Sequence, residues 1–211
     1  MKRRFLGRLA AGLAGLAMFT SIVAPAHAAD EAPDVLIKRL SEETLAAIKA
    51  DKADKAIQGG DTAKLIALVD SKIMPNVNFQ RMTAAAVGPS WRQATPEQQK
   101  RLQEEFKTLL VRTYAGALTQ VKDQTVQLKP LRAAAEDTEV VVRTEVKGRG
   151  EPIQLDYRLE KTDAAWKIYD VNVLGVWLVE QYRGQFAQDI SSGGIDGLIA
   201  KLAERNKGAK S

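Results

Sequence analysis

The sequence predicts an α+β fold: a helical N-terminal half, a curled four-stranded antiparallel sheet, and C-terminal helices packed on one side of it. Two patterns predict it. Apolar residues recur at helical spacing from Pro33 to about Val121 and again after Val179, whereas between Thr125 and Val173 they alternate with polar ones.

The N-terminal segment is not part of that fold. Lys2, Arg3 and Arg4 precede an apolar run from about Leu9 to Ala24, Pro25 breaks it, and Ala26-His27-Ala28 has the small-x-small pattern of signal-peptidase sites. The run falls short of the roughly 20 apolar residues of a membrane span. Residues 1–28 therefore read as a cleaved signal peptide, and residues 29–211 as a single domain in the periplasm. Arg3-Arg4-Phe5-Leu6 lacks the residue that separates the arginine pair from Phe in a twin-arginine signal, which favours ordinary export. With no Cys in the chain, a lipid cannot be attached at the cleavage point.

The leader also carries most of the basic excess. The formal charge of +5 falls to about +1 when Lys2, Arg3, Arg4 and Arg8 are subtracted, so the high pI is no argument for nucleic acid. Lys201, Arg205, Lys207 and Lys210 leave a basic C-terminal end that reads as a solvated tail.

The only histidine, His27, lies in the leader, so the mature chain has neither His nor Cys. Ser-His-Asp and Cys-His catalysis, zinc sites of the usual ligand types and redox thiols are thereby excluded. Gly148-Arg149-Gly150 lacks the further glycines of a dinucleotide loop and the Lys-Ser/Thr ending of a phosphate loop, and reads as a turn. No cofactor and no catalytic residue is expected.

In order along the chain, Leu36, Ile37, Leu40, Ala47 and Ile48 share one face of a helix over 33–50. Gly59-Gly60 breaks the chain. Asp61 then caps a helix with the stripe Leu65, Ile66, Val69 and Ile73, which Pro75 ends. A short helix over 79–87 stops at Gly88-Pro89. Thr95-Pro96-Glu97-Gln98 is a capping box with Pro at the first helical position. The helix it opens is apolar over more than half its girth in its C-terminal part, as expected of a helix covered on two sides or lining a cavity. Strands are expected over 125–131, 138–147, 151–161 and 165–173. Two helices follow, with stripes Val179/Tyr182/Phe186/Ile190 and Ile195/Leu198/Ile199/Leu202, separated at Gly193-Gly194.

Periodicity leaves open whether the space between sheet and helices is a solid core or an apolar cone. A family resemblance bears on this. Asn78-Phe79-Gln80-Arg81-Met82, Val87-Gly88-Pro89-Ser90-Trp91-Arg92, the capping box, Leu109-Leu110-Val111-Arg112-Thr113-Tyr114-Ala115, and Ile168-Tyr169-Asp170-Val171 through Leu174-Gly175-Val176, Leu178-Val179, Tyr182-Arg183 and Gln185-Phe186 form an ordered set. The set resembles the MlaC family, also called toluene-tolerance proteins, over most of 29–202. Trp177 departs from the family's small polar residue, and helical projection points it away from the Val179/Tyr182/Phe186 stripe.

The resemblance implies a periplasmic carrier of phospholipid with an apolar pocket. Its partners would be an outer-membrane lipoprotein–porin complex and the substrate-binding subunit of an inner-membrane ABC transporter. The tails are expected against Leu110, Tyr114 and Leu118 of the long helix, and against Val142, Leu155, Tyr157 and Ile168 of the sheet. Val179, Tyr182 and Phe186 of the C-terminal helix complete that expected wall. The alternative is a small-molecule enzyme of isomerase or dehydratase type on a similar cone-shaped fold, working with Tyr157, Tyr169 and Asp170. A buried Asp of raised pKa facing the pocket would mark it, whereas a solid-cored adaptor would have no pocket.

Overall fold

Pro33 occupies the first turn of α1 (Pro33–Ala50), where its missing N–H leaves no carbonyl unpaired, and Leu36, Ile37 and Leu40 face inward as their spacing predicts. This computed structural model describes residues 31–51, 61–119, 123–148 and 150–208; the expected leader, the Gly59-Gly60 break and Arg149 lie outside them. Asp61 caps α2 (Thr62–Leu68), accepting from the Ala63 and Lys64 N–H groups at 2.9 and 3.2 Å.

The single helix expected over 61–74 ends early. After Leu68 the backbone widens into a π-helical turn (Val69–Ile73) and then tightens into a 3₁₀ turn (Met74–Asn76). Neither turn has a buried residue. Asn78 caps α3 (Phe79–Val87) through the Arg81 N–H at 3.0 Å and donates to Glu160 at 2.7 Å. The Asn78 N–H meets the Ile168 carbonyl at 2.8 Å, which ties this part of the chain to the sheet.

The capping box forms as read. The Gln98 N–H donates to Thr95 Oγ1 at 3.2 Å, and the Thr95 N–H to Gln98 Oε1 at 3.0 Å, opening α4 (Pro96–Thr119).

The sheet is antiparallel throughout, in the order β1 (Thr125–Leu128), β2 (Glu139–Lys147), β3 (Ile153–Lys161), β4 (Trp166–Val173), β5 (Val176–Trp177). It thus has five strands rather than four. The last is a two-residue strand that Leu174-Gly175 turns back onto β4, with φ of 53° and 89° at the turn. A bulge at Tyr169 divides β4: Leu159 pairs with Ile168, but Arg158 pairs with Asp170. The extra residue keeps Ile168 and Val171 on one face and sends Asp170 and Asn172 to the other.

That outer face holds a polar assembly instead of a core. The Asp170 side chain is 1% exposed; it accepts from Arg158 at 3.0 Å and from the Val171 and Val179 N–H groups at 2.9 and 3.1 Å. Val179 lies in the first turn of α5 (Leu178–Gly208), so the carboxylate also complements the helix N-terminus. Trp177, whose role projection left open, lies under the Arg158 guanidinium at 3.8 Å.

α5 is two helical segments that meet at a break at Gly194 (φ 65°, ψ −166°), where the sequence separated them. Its C-terminal end is less free than the sequence suggested. Lys201 and Arg205 pair with the buried Asp189 at 2.8 and 3.1 Å. Among the described residues, no helix is long and apolar enough to cross a membrane.

Candidate functional site

The apolar residues of this fold gather in three clusters. The largest joins α3, α4 and α5 around Phe79, Phe106, Tyr182 and Phe186. A second packs Leu36, Ile37 and Leu40 of α1 onto Val140, Val142, Leu159 and Ile168 of the sheet. A third joins Ile48, Leu65 and Val111. The first two touch at Val77 and Val171. Where the three meet is a cavity of ≈ 240 Å³, bounded by Val69, Ile73, Met74, Val77, Phe79, Met82, Lys107, Leu110, Val111, Tyr114, Tyr157, Ile168, Val171 and Leu178.

The geometry follows from the elements. Lys107, Leu110, Val111 and Tyr114 fall on one side of α4, so the cavity runs about 10 Å along the helix, at about 1.5 Å per residue. Tyr157 and Val171 are paired across β3 and β4, and Ile168 returns to their face beyond the bulge. Phe79 and Met82 come from α3, which the Asn78 cap orients. Arg81 points away from them, pairing with Glu160 and, at 2.6 Å, with Glu139, its guanidinium 3.6 Å from the Tyr169 ring.

The wall is unequally firm. Phe79, Met82, Val111, Ile168 and Leu178 are buried core residues, whereas Val69, Ile73 and Met74 belong to the two turns without buried side chains. Opening therefore costs least on the side of those turns.

Leu110, Tyr114, Tyr157 and Ile168 of the ten expected contacts stand in this wall. Val142, Leu155, Val179, Tyr182 and Phe186 do not. Val142 is sealed beneath α1, and Leu155 lies further along β3, opposite Val173. Val179, Tyr182 and Phe186 turn toward α4, where Phe106 meets Tyr182 at 5.0 Å and Phe186 at 5.1 Å between ring centroids. The side chain of Leu118 lies outside the described residues. Sequence reasoning did not place the other ten residues in the wall: Val69, Ile73 and Met74 of the two turns, Val77 after them, Phe79 and Met82 of α3, Lys107 and Val111 of α4, Val171 of β4 and Leu178 of α5. Of these, Lys107 was legible, since its spacing of three and seven residues from Leu110 and Tyr114 placed it on the same stripe.

The residues of the enzyme alternative are not brought together. Tyr157 lines the cavity; Asp170 and Tyr169 do not. Burial does push the Asp170 carboxyl up from its ordinary range, against the backbone donors and Arg158, but the group faces the other side of the sheet and is committed to α5. The Tyr169 hydroxyl donates to Glu139 at 3.1 Å. Among the described residues, no group of His, Cys, Asp and Glu could hold a metal ion.

All four tyrosines are held above the ordinary phenol range, chiefly by burial: Tyr114, Tyr169, Tyr182, and Tyr157, which is pushed up to about 12. Hydrogen bonding with Thr144 and Ser41 restrains Tyr157 only in part. As pH rises through the unperturbed phenol range, the unfolded chain gives up these protons while the fold keeps them, so stability must fall. Spectrophotometric titration is expected to show the phenolate band of the folded protein rising well above pH 10. Urea midpoints should decrease steadily between pH 10 and 12. Phenols titrating near 10 in folded protein would contradict this burial.

Comparison with known proteins places the cavity in context. The family model described as MlaC protein matches residues 38–204. The chain is 25% identical over 180 residues to the intermembrane phospholipid transport system binding protein MlaC of Haemophilus influenzae, covering 83% of each. It is 31% identical over 124 residues to the toluene tolerance protein ttg2D of Pseudomonas putida, covering 56% of this chain and 58% of that one. Among solved structures it resembles a phospholipid-binding protein from Ralstonia solanacearum in complex with a phospholipid. That likeness has 49% identity and a TM-score of 0.80, over 87% of this chain and all of the other.

Proposed function

Because the chain belongs to the MlaC family, we propose that it is a soluble periplasmic carrier that holds a diacyl phospholipid by its tails and moves it between the outer and inner membranes, maintaining outer-membrane lipid asymmetry. The observation that carries this reading is the apolar cavity at the meeting of three core clusters, in a chain 49% identical to a protein in complex with a phospholipid.

Leu110, Tyr114, Tyr157 and Ile168 touch the tails, together with Phe79, Met82 and Val171. Val142, Leu155, Val179, Tyr182 and Phe186 form the packed shell behind them. Residues 1–28 direct export and are removed, and residues 29–211 work as one domain. The cargo is loaded and released at an outer-membrane lipoprotein–porin complex and at the substrate-binding subunit of an inner-membrane ABC transporter.

The physical task explains the wall. Two acyl chains carry roughly 30 methylenes at about 0.8 kcal/mol each, so free passage through water costs on the order of 20 kcal/mol. An apolar cavity removes that cost and leaves exchange with a bilayer near balance, with no catalytic group and no cofactor. At ≈ 240 Å³ the cavity lies below the roughly 300–1,000 Å³ of ordinary ligand sites, so loading widens it on the side of the Val69–Asn76 turns.

The test is transfer of fluorescent phospholipid from donor to acceptor vesicles across a membrane that passes protein but not vesicles. Transfer should rise in proportion to protein concentration. No transfer above the protein-free rate would refute the carrier reading.

A further inference from the structure

Lys107 is the one charged side chain among the described residues that line the cavity. Its neighbours on that stripe of α4, Leu110 and Tyr114, are where tails would lie. A lysine there takes its stem along the apolar wall and its ammonium to the water's edge, and the side chain is indeed only 23% exposed. The Nζ donates to Asp70 Oδ1 at 2.7 Å, onto the π-helical turn that forms the soft wall. Asp70 is 45% exposed, and a pair so placed is held weakly and is readily exchanged.

We infer that Lys107 is the headgroup anchor of the cavity. Its ammonium exchanges the Asp70 carboxylate for the phosphodiester of the cargo, so the same exchange that recognises the phosphate unties the Val69–Ile73 turn. This rests on the carrier reading above and adds to it the chemistry that is recognised: a tethered phosphate monoanion at the tail-bearing end of a lipid. The ion pair ties α4 to the Val69–Ile73 turn, two neighbouring parts of the wall of the empty cone. The loaded cone is held open, because Lys107 is then occupied and Asp70 is left to solvent. A lipid without phosphate fills the same apolar space but leaves the strap in place, so it competes poorly. Positive charge at the mouth, not the identity of the alcohol beyond the phosphate, sets the preference.

The test presents delipidated protein with phosphatidylcholine vesicles that contain phosphatidylglycerol and a diacylglycerol of identical chains, and reads the ratio of these two in the bound pool by mass spectrometry. Wild-type protein should be enriched in the phospholipid. Lys107→Met should lower the ratio about fivefold, the scale of one partly solvated charge-assisted hydrogen bond. Lys107→Arg should keep the ratio, and Asp70→Asn, which frees the ammonium, should raise it. An unchanged ratio in Lys107→Met overturns the inference and leaves the carrier reading standing, since lipid is still bound. A wild-type preference erased by millimolar inorganic phosphate at matched ionic strength also overturns it, because Lys107 would then be a site for a free anion. No lipid of either kind in any variant sinks both readings.

Discussion

Replacing Leu110 by Trp is expected to empty the protein of lipid while leaving it folded. Leu110 is half-buried in the middle of α4, in the cavity wall and against the largest cluster. In a full core an added indole costs about 1–3 kcal/mol through displaced neighbours. Here the ring has ≈ 240 Å³ of apolar space before it, so it takes the volume a tail would occupy. Lipid recovered by organic extraction should fall at least about tenfold, the equivalent of about 1.4 kcal/mol. The melting temperature should stay within a few degrees of the parent. The same enlargement at Val142, sealed between α1 and the sheet, should instead destabilise the protein, which separates filling a cavity from crowding a core. A full lipid load in Leu110→Trp would place the tails elsewhere.

The largest stability effect is expected at Phe106→Ala. Phe106 is fully buried, and its ring meets Phe79 at 5.7 Å, Tyr182 at 5.0 Å and Phe186 at 5.1 Å. It thus joins α3, α4 and α5 at one point. Truncation removes the ring's burial and its edge-on contacts and leaves a void among rigid aromatic neighbours, at a cost of about 3–5 kcal/mol. Against a total of about 5–15 kcal/mol for a domain, that is a large share, and the urea midpoint should fall accordingly. A loss under about 1 kcal/mol would mean that the three helices do not converge there.

These two residues also show where the sequence was readable. Phe106 and Leu110 sit one turn apart at helical apolar spacing, and both turn inward. The capping box at Thr95-Gln98 marks the start of α4, and the apolar-polar alternation over 138–147 marks β2, whose Val140 and Val142 face inward. What periodicity does not encode is whether an inward side chain meets another side chain or a gap. Tyr182 and Phe186 have the same spacing signature as a pocket stripe, yet α4 opposes them with Phe106 and fills the space. Leu110 and Tyr114 look out past the end of one cluster before the next begins. The π-helical turn at Val69–Ile73 was illegible for a related reason, since a helical stripe looks continuous until one extra residue widens the turn. The bulge at Tyr169 likewise changes which half of β4 faces inward. Asp170 and Trp177 gained their roles only when Arg158 was brought between them.

The central claim is that the gap between the three clusters holds lipid, and the mass of the protein purified without detergent tests it most directly. Native mass spectrometry of protein expressed from the full sequence should show a near-stoichiometric adduct, and organic extraction should identify the adduct as diacyl phospholipid. A protein that stays at its bare mass, even after incubation with phospholipid vesicles, would contradict the account.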